Sequence, residues 1–328
     1  MNFVDPVKPP ALDRAIAGRK AWTRADLAPA DWRVAIPVKC QAEIAATVAT
    51  LRRHPLPTLV LSPTDYELGA TSAFMADVKA RLDEGPGLVV LDRLPVDAYS
   101  KDELTQIYWL LSSLIARPVA QSFDGTLLYD VIDTGRKIAT RVRGDKTNQE
   151  LTWHTDYGFN LPPPYIGLLV LRTARKGGRS SVVSLASVHN AMLARYPALL
   201  ARLYRPFHWN RQGEHGEGEP ITHALPIFRY EDGRLYSRYN RRLIEAGAKL
   251  TESPLTESDI AALDALVDVM NDPALSLDFD LEPGQIQYLA NFDCVHRRTD
   301  YIDHDAPDAK RHLVRIFLRD GGARSYMG

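Results

Sequence analysis

The chain has 328 residues, 45% of them hydrophobic and 25% charged, with a formal net charge of −1. That balance is typical of a soluble globular protein with enough length for a sizeable core. Near-neutrality excludes a general affinity for nucleic acid or an anionic membrane, so the expected partner is a small molecule recognised locally.

The start of the chain has no basic segment leading into an apolar run, so no secretory signal is expected. The longest apolar stretch, 166–171, is far too short to span a bilayer. Cys40 and Cys294 alone make no disulfide framework, and a reducing cytoplasm is the expected setting. A single chain leaves the oligomeric state open, a homo-oligomer included.

In chain order, the first stretch is punctuated by prolines, from Pro6, Pro9 and Pro10 to Pro55 and Pro57. Between them, apolar spacing predicts helices over 41–53 and 73–84, the second ended by Gly85-Pro86-Gly87. Leu88-Val89-Val90-Leu91 has the pattern of a buried strand. A helix follows over 100–116, with Ser100 and Glu103 placed as a capping box. From Leu127 the pattern changes to short strands at 127–131, 167–172, 181–184 and 286–289, with helices at 188–196 and 257–270 and a last strand at 312–318. The expected fold is mainly β with flanking helices (α+β), a sandwich or jelly roll. Residues 1–86 are expected to form a helical support packed on the core and 87–328 the catalytic domain, together one structural unit.

His154-Thr155-Asp156 carries the first chemical signal. Two residues apart on a strand, the imidazole and the carboxylate project to one face and can grip one metal ion. His296, from a distant strand, would complete a two-histidine, one-carboxylate set. Such a set leaves three cis positions open on non-haem iron(II). The spacing alone is common: His215-Gly216-Glu217 repeats it within a Gly- and Glu-rich run that has the composition of a solvated loop.

The company of His154 and Asp156 is more specific. Gly177-Gly178-Arg179-Ser180 follows a strand, and 284–291 leads into His296. Arg298-Thr299 and Arg311-His312-Leu313-Val314-Arg315 come next. Over roughly 88–319 the chain resembles the taurine dioxygenase and clavaminate synthase group of iron(II)/2-oxoglutarate-dependent oxygenases. The resemblance implies a double-stranded β-helix (jelly roll) and iron ligation by His154, Asp156 and His296. It implies that Arg311, fifteen residues after His296, pairs with the distal carboxylate of the 2-oxoglutarate cosubstrate, joined by the hydroxyl of Ser180. It also gives Arg315 to an acidic group of the prime substrate.

The implied reaction consumes O2, converts 2-oxoglutarate to succinate and CO2, and oxidises a C–H bond of a small molecule. Hydroxylation is the default outcome; desaturation or ring formation by the same cofactors, and a non-catalytic 2-oxoglutarate-binding or cupin-like module, are the rivals. The retained carboxylate of Asp156 argues against halogenation.

Alternation puts Arg311, Leu313, Arg315, Phe317 and Arg319 on one face of the last strand. Three arginines on one inward face need acidic partners, which points to an anionic substrate group as well as the cosubstrate. Tyr157 and Phe159, with Trp153, either line the substrate pocket or simply pack. Gln121 and Asn291 either face the pocket or tie up loops. The segment 237–245, with Tyr239, Arg241 and Arg242, has no chemistry legible from sequence.

Overall fold

The computed structural model describes residues 11–135 and 144–324. The proline-marked start, Pro6 to Pro10, lies outside the described residues. Two sheets face each other across the middle of the molecule as a jelly roll. The larger runs, in spatial order, Arg33–Val34, Leu88–Leu91, Ile286–Ala290, Tyr165–Arg172, His312–Arg319 and Arg117–Val119, with Leu128–Ile132 also paired to His312–Arg319. All these pairings are antiparallel except the first. The smaller runs Leu277–Phe279, Ser180–Ser184, Cys294–Arg298 and Leu151–His154.

The period-two alternation of the central strands divides their side chains between two environments. Leu169, Val314, Ile316 and Leu318 point outward and share a buried core with the helices Val38–Arg53, Gly69–Asp83 and Lys101–Ile115. Leu168, Leu313, Arg315 and Phe317 point inward and line a cavity between the sheets. A second core lies behind the smaller sheet, where Val183 and Val295 pack with residues of Leu185–Arg195 and Glu257–Met270. Each fully buried leucine or isoleucine contributes roughly 1.5–3 kcal/mol to holding these layers together.

The Lys101–Ile115 helix starts where its cap requires: Ser100 Oγ accepts from the Glu103 amide at 3.2 Å, and Glu103 returns to the Ser100 amide at 2.8 Å. The Glu257–Met270 helix has the same device in Thr256 and Asp259. Among the described residues no helix is long and apolar enough to cross a membrane.

Several elements have no sequence expectation behind them. Phe207–Asn210 pairs with Thr222–Leu225, and Phe228–Glu231 with Arg234–Ser237, as antiparallel hairpins. The helix Arg241–Leu250 lies close against Phe207–Asn210. Gly247 makes that approach possible, because a Cβ there would overlap the His208 carbonyl. Gly247→Ala is therefore expected to lower stability by about 1–3 kcal/mol, the usual cost of overpacking. An unchanged thermal midpoint would show that this helix gives way more freely than its packing implies.

Candidate metal centre and its cavity

His154 ends the Leu151–His154 strand and stands directly opposite His296 in the antiparallel pairing with Cys294–Arg298. Their ring centroids are 4.3 Å apart. His154 Nδ1 lies 2.8 Å from the Thr152 carbonyl. A hydrogen bond there makes Nδ1 the protonated nitrogen and leaves the Nε2 lone pair free. Burial, and then the neighbouring His154, push the His296 imidazole down to about 3. It is therefore neutral at physiological pH, the form in which imidazole binds metals.

The expectation that Asp156 shares a strand with His154 needs correction. The strand stops at His154, and Asp156 lies in the turn that follows. Thr155 makes the diversion: its amide donates to the Tyr239 carbonyl at 2.8 Å, and its hydroxyl accepts from the Tyr239 amide at 3.0 Å. The next residue, Tyr157, is left-handed at φ 59°. Asp156 is fixed by Asn291, whose side chain accepts from the Asp156 amide and donates to the Asp156 carbonyl, both at 2.9 Å. Asn291 thus ties up a loop, and in doing so sets the position of the carboxylate.

The ligand atoms of His154, Asp156 and His296 all lie within 4.8 Å of one another, and no other such group occurs among the described residues. Two imidazoles and one carboxylate suit a divalent first-row ion. His215 belongs to no such cluster; its Nδ1 lies 3.2 Å from the Gly216 carbonyl.

The triad opens on a cavity of about 470 Å³. Arg311 lines it. Burial, reinforced by the Arg298 charge, pushes the Arg311 guanidinium down to about 10. Its Nη1 is buried and has no hydrogen-bond partner among the described residues. Tyr301 lies between the two cations, its ring centroid 5.1 Å from the Arg311 guanidinium and 4.6 Å from that of Arg298. Gly178 backs Arg311 closely, with φ at 76° and space for a Cβ only 3.3 Å from Nε. Ser180 lines the same cavity. Among the described residues no hydrogen bond joins it to Arg311.

Arg315 is already engaged. Its Nη1 lies 3.1 Å from Asp145 Oδ2 and 3.4 Å from both Asp156 oxygens, while Nε donates to Gln121 Oε1 at 2.8 Å. Burial opposes its charge, but Asp156 and Asp145 outweigh that and hold the guanidinium above its ordinary value. The sequence expectation of Arg315 as an anchor for a substrate anion therefore meets a side chain already shared between two carboxylates. Arg319 points away from this network, donating to the Leu161 carbonyl at 3.1 Å.

Tyr157 and Phe159 both line the cavity and both belong to the adjoining core, their rings 4.8 Å apart. Trp153 is buried in that same core and bonds Asn271 Oδ1 through its indole nitrogen at 2.9 Å. Asp145 had no sequence signal of its own, and Arg298, part of the motif set, had no role assigned to it. Asp145 sits in a short 3-10 turn. Arg298 reaches the Thr147 carbonyl at 3.3 Å and that of Gln149 as well. It thereby fastens the stretch that carries Asp145.

The model of the family described as "Taurine catabolism dioxygenase TauD, TfdA family" matches residues 61–317. The FR-33289 synthase of Streptomyces rubellomurinus is 27% identical over 321 residues, covering 96% of this chain and 93% of that protein. Among solved structures, asparagine oxygenase with Fe(II), 3-hydroxyasparagine and succinate superposes with a TM-score of 0.64 at 19% identity, over 88% of this chain and 93% of that one. The non-haem iron oxygenase OrfP with iron and α-ketoglutaric acid gives 0.63 at 15% identity, over 88% and 94%.

Proposed function

The chain belongs to the TauD, TfdA family of dioxygenases, and from that premise we propose that His154, Asp156 and His296 hold its iron(II), with Arg311 and Ser180 receiving the far carboxylate of 2-oxoglutarate. The enzyme is an iron(II)/2-oxoglutarate-dependent dioxygenase acting on a small molecule. With both bound, the cofactors would consume O2, release succinate and CO2, and supply the oxidant for a C–H bond, with hydroxylation as the outcome.

The observation that carries this reading is the convergence of two imidazoles and a carboxylate at a cavity that also contains a buried arginine whose Nη1 has no hydrogen-bond partner among the described residues. The protein's own part is positional. The Thr152 carbonyl fixes the ring of His154, Asn291 fixes the backbone of Asp156, and Arg315 fixes its carboxylate. A fork of N–H donors suits Arg311 to one docking pose of a carboxylate. Tyr157 and Phe159 give the substrate an apolar wall.

An anionic substrate is part of the reading. Among the described residues, six arginines but four carboxylates line the cavity. Iron(II) and 2-oxoglutarate cancel each other in charge, so the positive excess remains for the substrate to meet. A reducing, cytoplasmic setting is supported by the two buried free cysteines, Cys40 and Cys294.

The test is an anaerobic titration of metal-free protein with iron(II) and then 2-oxoglutarate, following the visible metal-to-ligand charge-transfer band. A band is expected in the wild type and none in His154→Ala. A folded, iron-loaded wild type without a band would overturn the proposed chelation.

A further inference from the structure

The segment 237–245 is bound directly to the strand that presents His154. Asn240 forms an antiparallel bridge with His154, and Tyr239 accepts from the Thr155 amide and donates its own amide to the Thr155 hydroxyl. Asn240 then caps the Arg241–Leu250 helix, accepting from the Leu243 amide at 3.2 Å. Arg242 is thus the second residue of a helix whose start is fixed to the metal-binding strand and whose body is packed on Phe207–Asn210.

Two consecutive arginines at this end of a helix break a local electrostatic rule, because the amino-terminal turn favours acids and disfavours cations. Arg241 is compensated by Glu245 at 2.7 Å and by Asp264 at 2.5 Å. Arg242 is not. Among the described residues it has no ion pair; its guanidinium donates to the neutral Gln212 Oε1 at 3.2 Å. Both Arg242 and Gln212 line the cavity that holds the triad. Burial pushes the Arg242 guanidinium down, and only the more distant Asp145 opposes this. Local rules broken without local compensation are expected where a ligand supplies the missing term. Arg311 faces the same cavity without a carboxylate, but the cosubstrate is its partner, and Arg315 is held by Asp145 and Asp156. Arg297 and Arg298 also line the cavity without an ion pair among the described residues, but Arg297 is held by Ser181 and Asn271 and Arg298 by the Thr147 and Gln149 carbonyls. Arg242, with Gln212 as its one acceptor among the described residues, is the arginine least committed to the protein.

We propose that Arg242 is the specificity residue that anchors the anionic group, a carboxylate or sulfonate, of the prime substrate within the cavity that holds the metal site. The anion replaces Gln212 as the acceptor of the guanidinium. Because the helix start is bridged to His154, the anchor and the iron keep a fixed separation. That separation selects which carbon of the substrate lies nearest the metal. The inference rests on the iron and 2-oxoglutarate reading above.

The experiment uses the anaerobic iron(II)·2-oxoglutarate complex of wild type, Arg242→Lys and Arg242→Gln, titrated with methanesulfonate and with propionate. Binding is read from the shift of the charge-transfer band and, in parallel, by calorimetry. The expected result is binding of one or both probes to the wild type and a loss of about tenfold or more in Arg242→Gln, the scale of a charge-assisted bond. Arg242→Lys should fall between, with the 2-oxoglutarate titration unchanged throughout. The stronger probe identifies the anion. Equal affinity of wild type and Arg242→Gln, or no binding of either probe to the wild type, overturns the assignment of Arg242. Absence of the charge-transfer band in the wild type is a different failure, that of the cofactor reading itself.

Discussion

Arg311→Ala is expected to weaken 2-oxoglutarate binding by about a hundredfold or more while leaving iron(II) affinity nearly unchanged. The guanidinium is buried, its Nη1 is unbonded among the described residues, and its proton is already held less tightly than usual because of burial and the nearby Arg298. A dianionic cosubstrate relieves all of these at once. Truncating one partner of a buried, hydrogen-bonded charge pair costs about 2–5 kcal/mol, and each ~1.4 kcal/mol is a factor of ten in affinity. Arg311→Lys keeps a charge but loses the planar fork, so it should recover only part of the affinity. The measurement is the midpoint of the anaerobic 2-oxoglutarate titration at saturating iron. A midpoint in Arg311→Ala within a few-fold of the wild type would exclude Arg311 from cosubstrate binding.

Arg315→Met should have the largest effect on the metal-free protein itself. The substitution keeps the bulk of the side chain and leaves Asp145 and Asp156 buried without their shared cation. Breaking a buried pair in this way costs about 3–5 kcal/mol, more than most single substitutions. Iron(II) is itself a cation beside Asp156, so the fall in thermal midpoint should be smaller in iron-loaded protein than in metal-free protein. Adding Asp145→Leu should recover part of the loss, because the double variant no longer buries the Asp145 carboxylate beside the lost cation. Calorimetric melts of wild type, Arg315→Met and the double variant, with and without iron, check this. Equal midpoints for metal-free wild type and Arg315→Met would mean that the two carboxylates do not depend on Arg315.

The parts of the fold legible in the sequence are those where local chemistry and tertiary packing agree. The helix at Glu257–Met270 has the limits the sequence predicts, and the structure shows Thr256 and Asp259 capping it there. The last strand could be read from its alternation, which separates Leu313, Arg315 and Phe317 from Val314, Ile316 and Leu318. The helix Arg241–Leu250 was invisible for the opposite reason. Its head carries two arginines and its body a glycine, both poor local signals, and it is secured by packing on Phe207–Asn210.

The candidate site divides in the same way. His154, Asp156 and His296 could be named from residue type and order, and the structure brings their ligand atoms together. The turn that carries Asp156 could not, since it depends on Thr155 meeting Tyr239 and on Asn291 reaching across from a distant part of the chain. Asp145 had no motif around it, and its meaning comes only from the guanidinium it meets. Arg315 was legible as an inward-facing charge, but its partners were not.

The facing positions of His154 and His296 bear on how the protein gains and loses its metal. One histidine closes the strand Leu151–His154 and the other lies in Cys294–Arg298, so the pair exists only once segments far apart in the chain have docked in register. Pairings of such high contact order form late and slowly in folding. Metal added to an unfolded or half-folded chain therefore meets no complete triad, and full loading follows folding rather than guiding it. By mass action, free iron(II) at a hundred times its dissociation constant adds about 2.7 kcal/mol to the stability of the whole fold, not of one loop. Metal release and global unfolding are coupled, and resistance to proteolysis should rise and fall with the supply of iron.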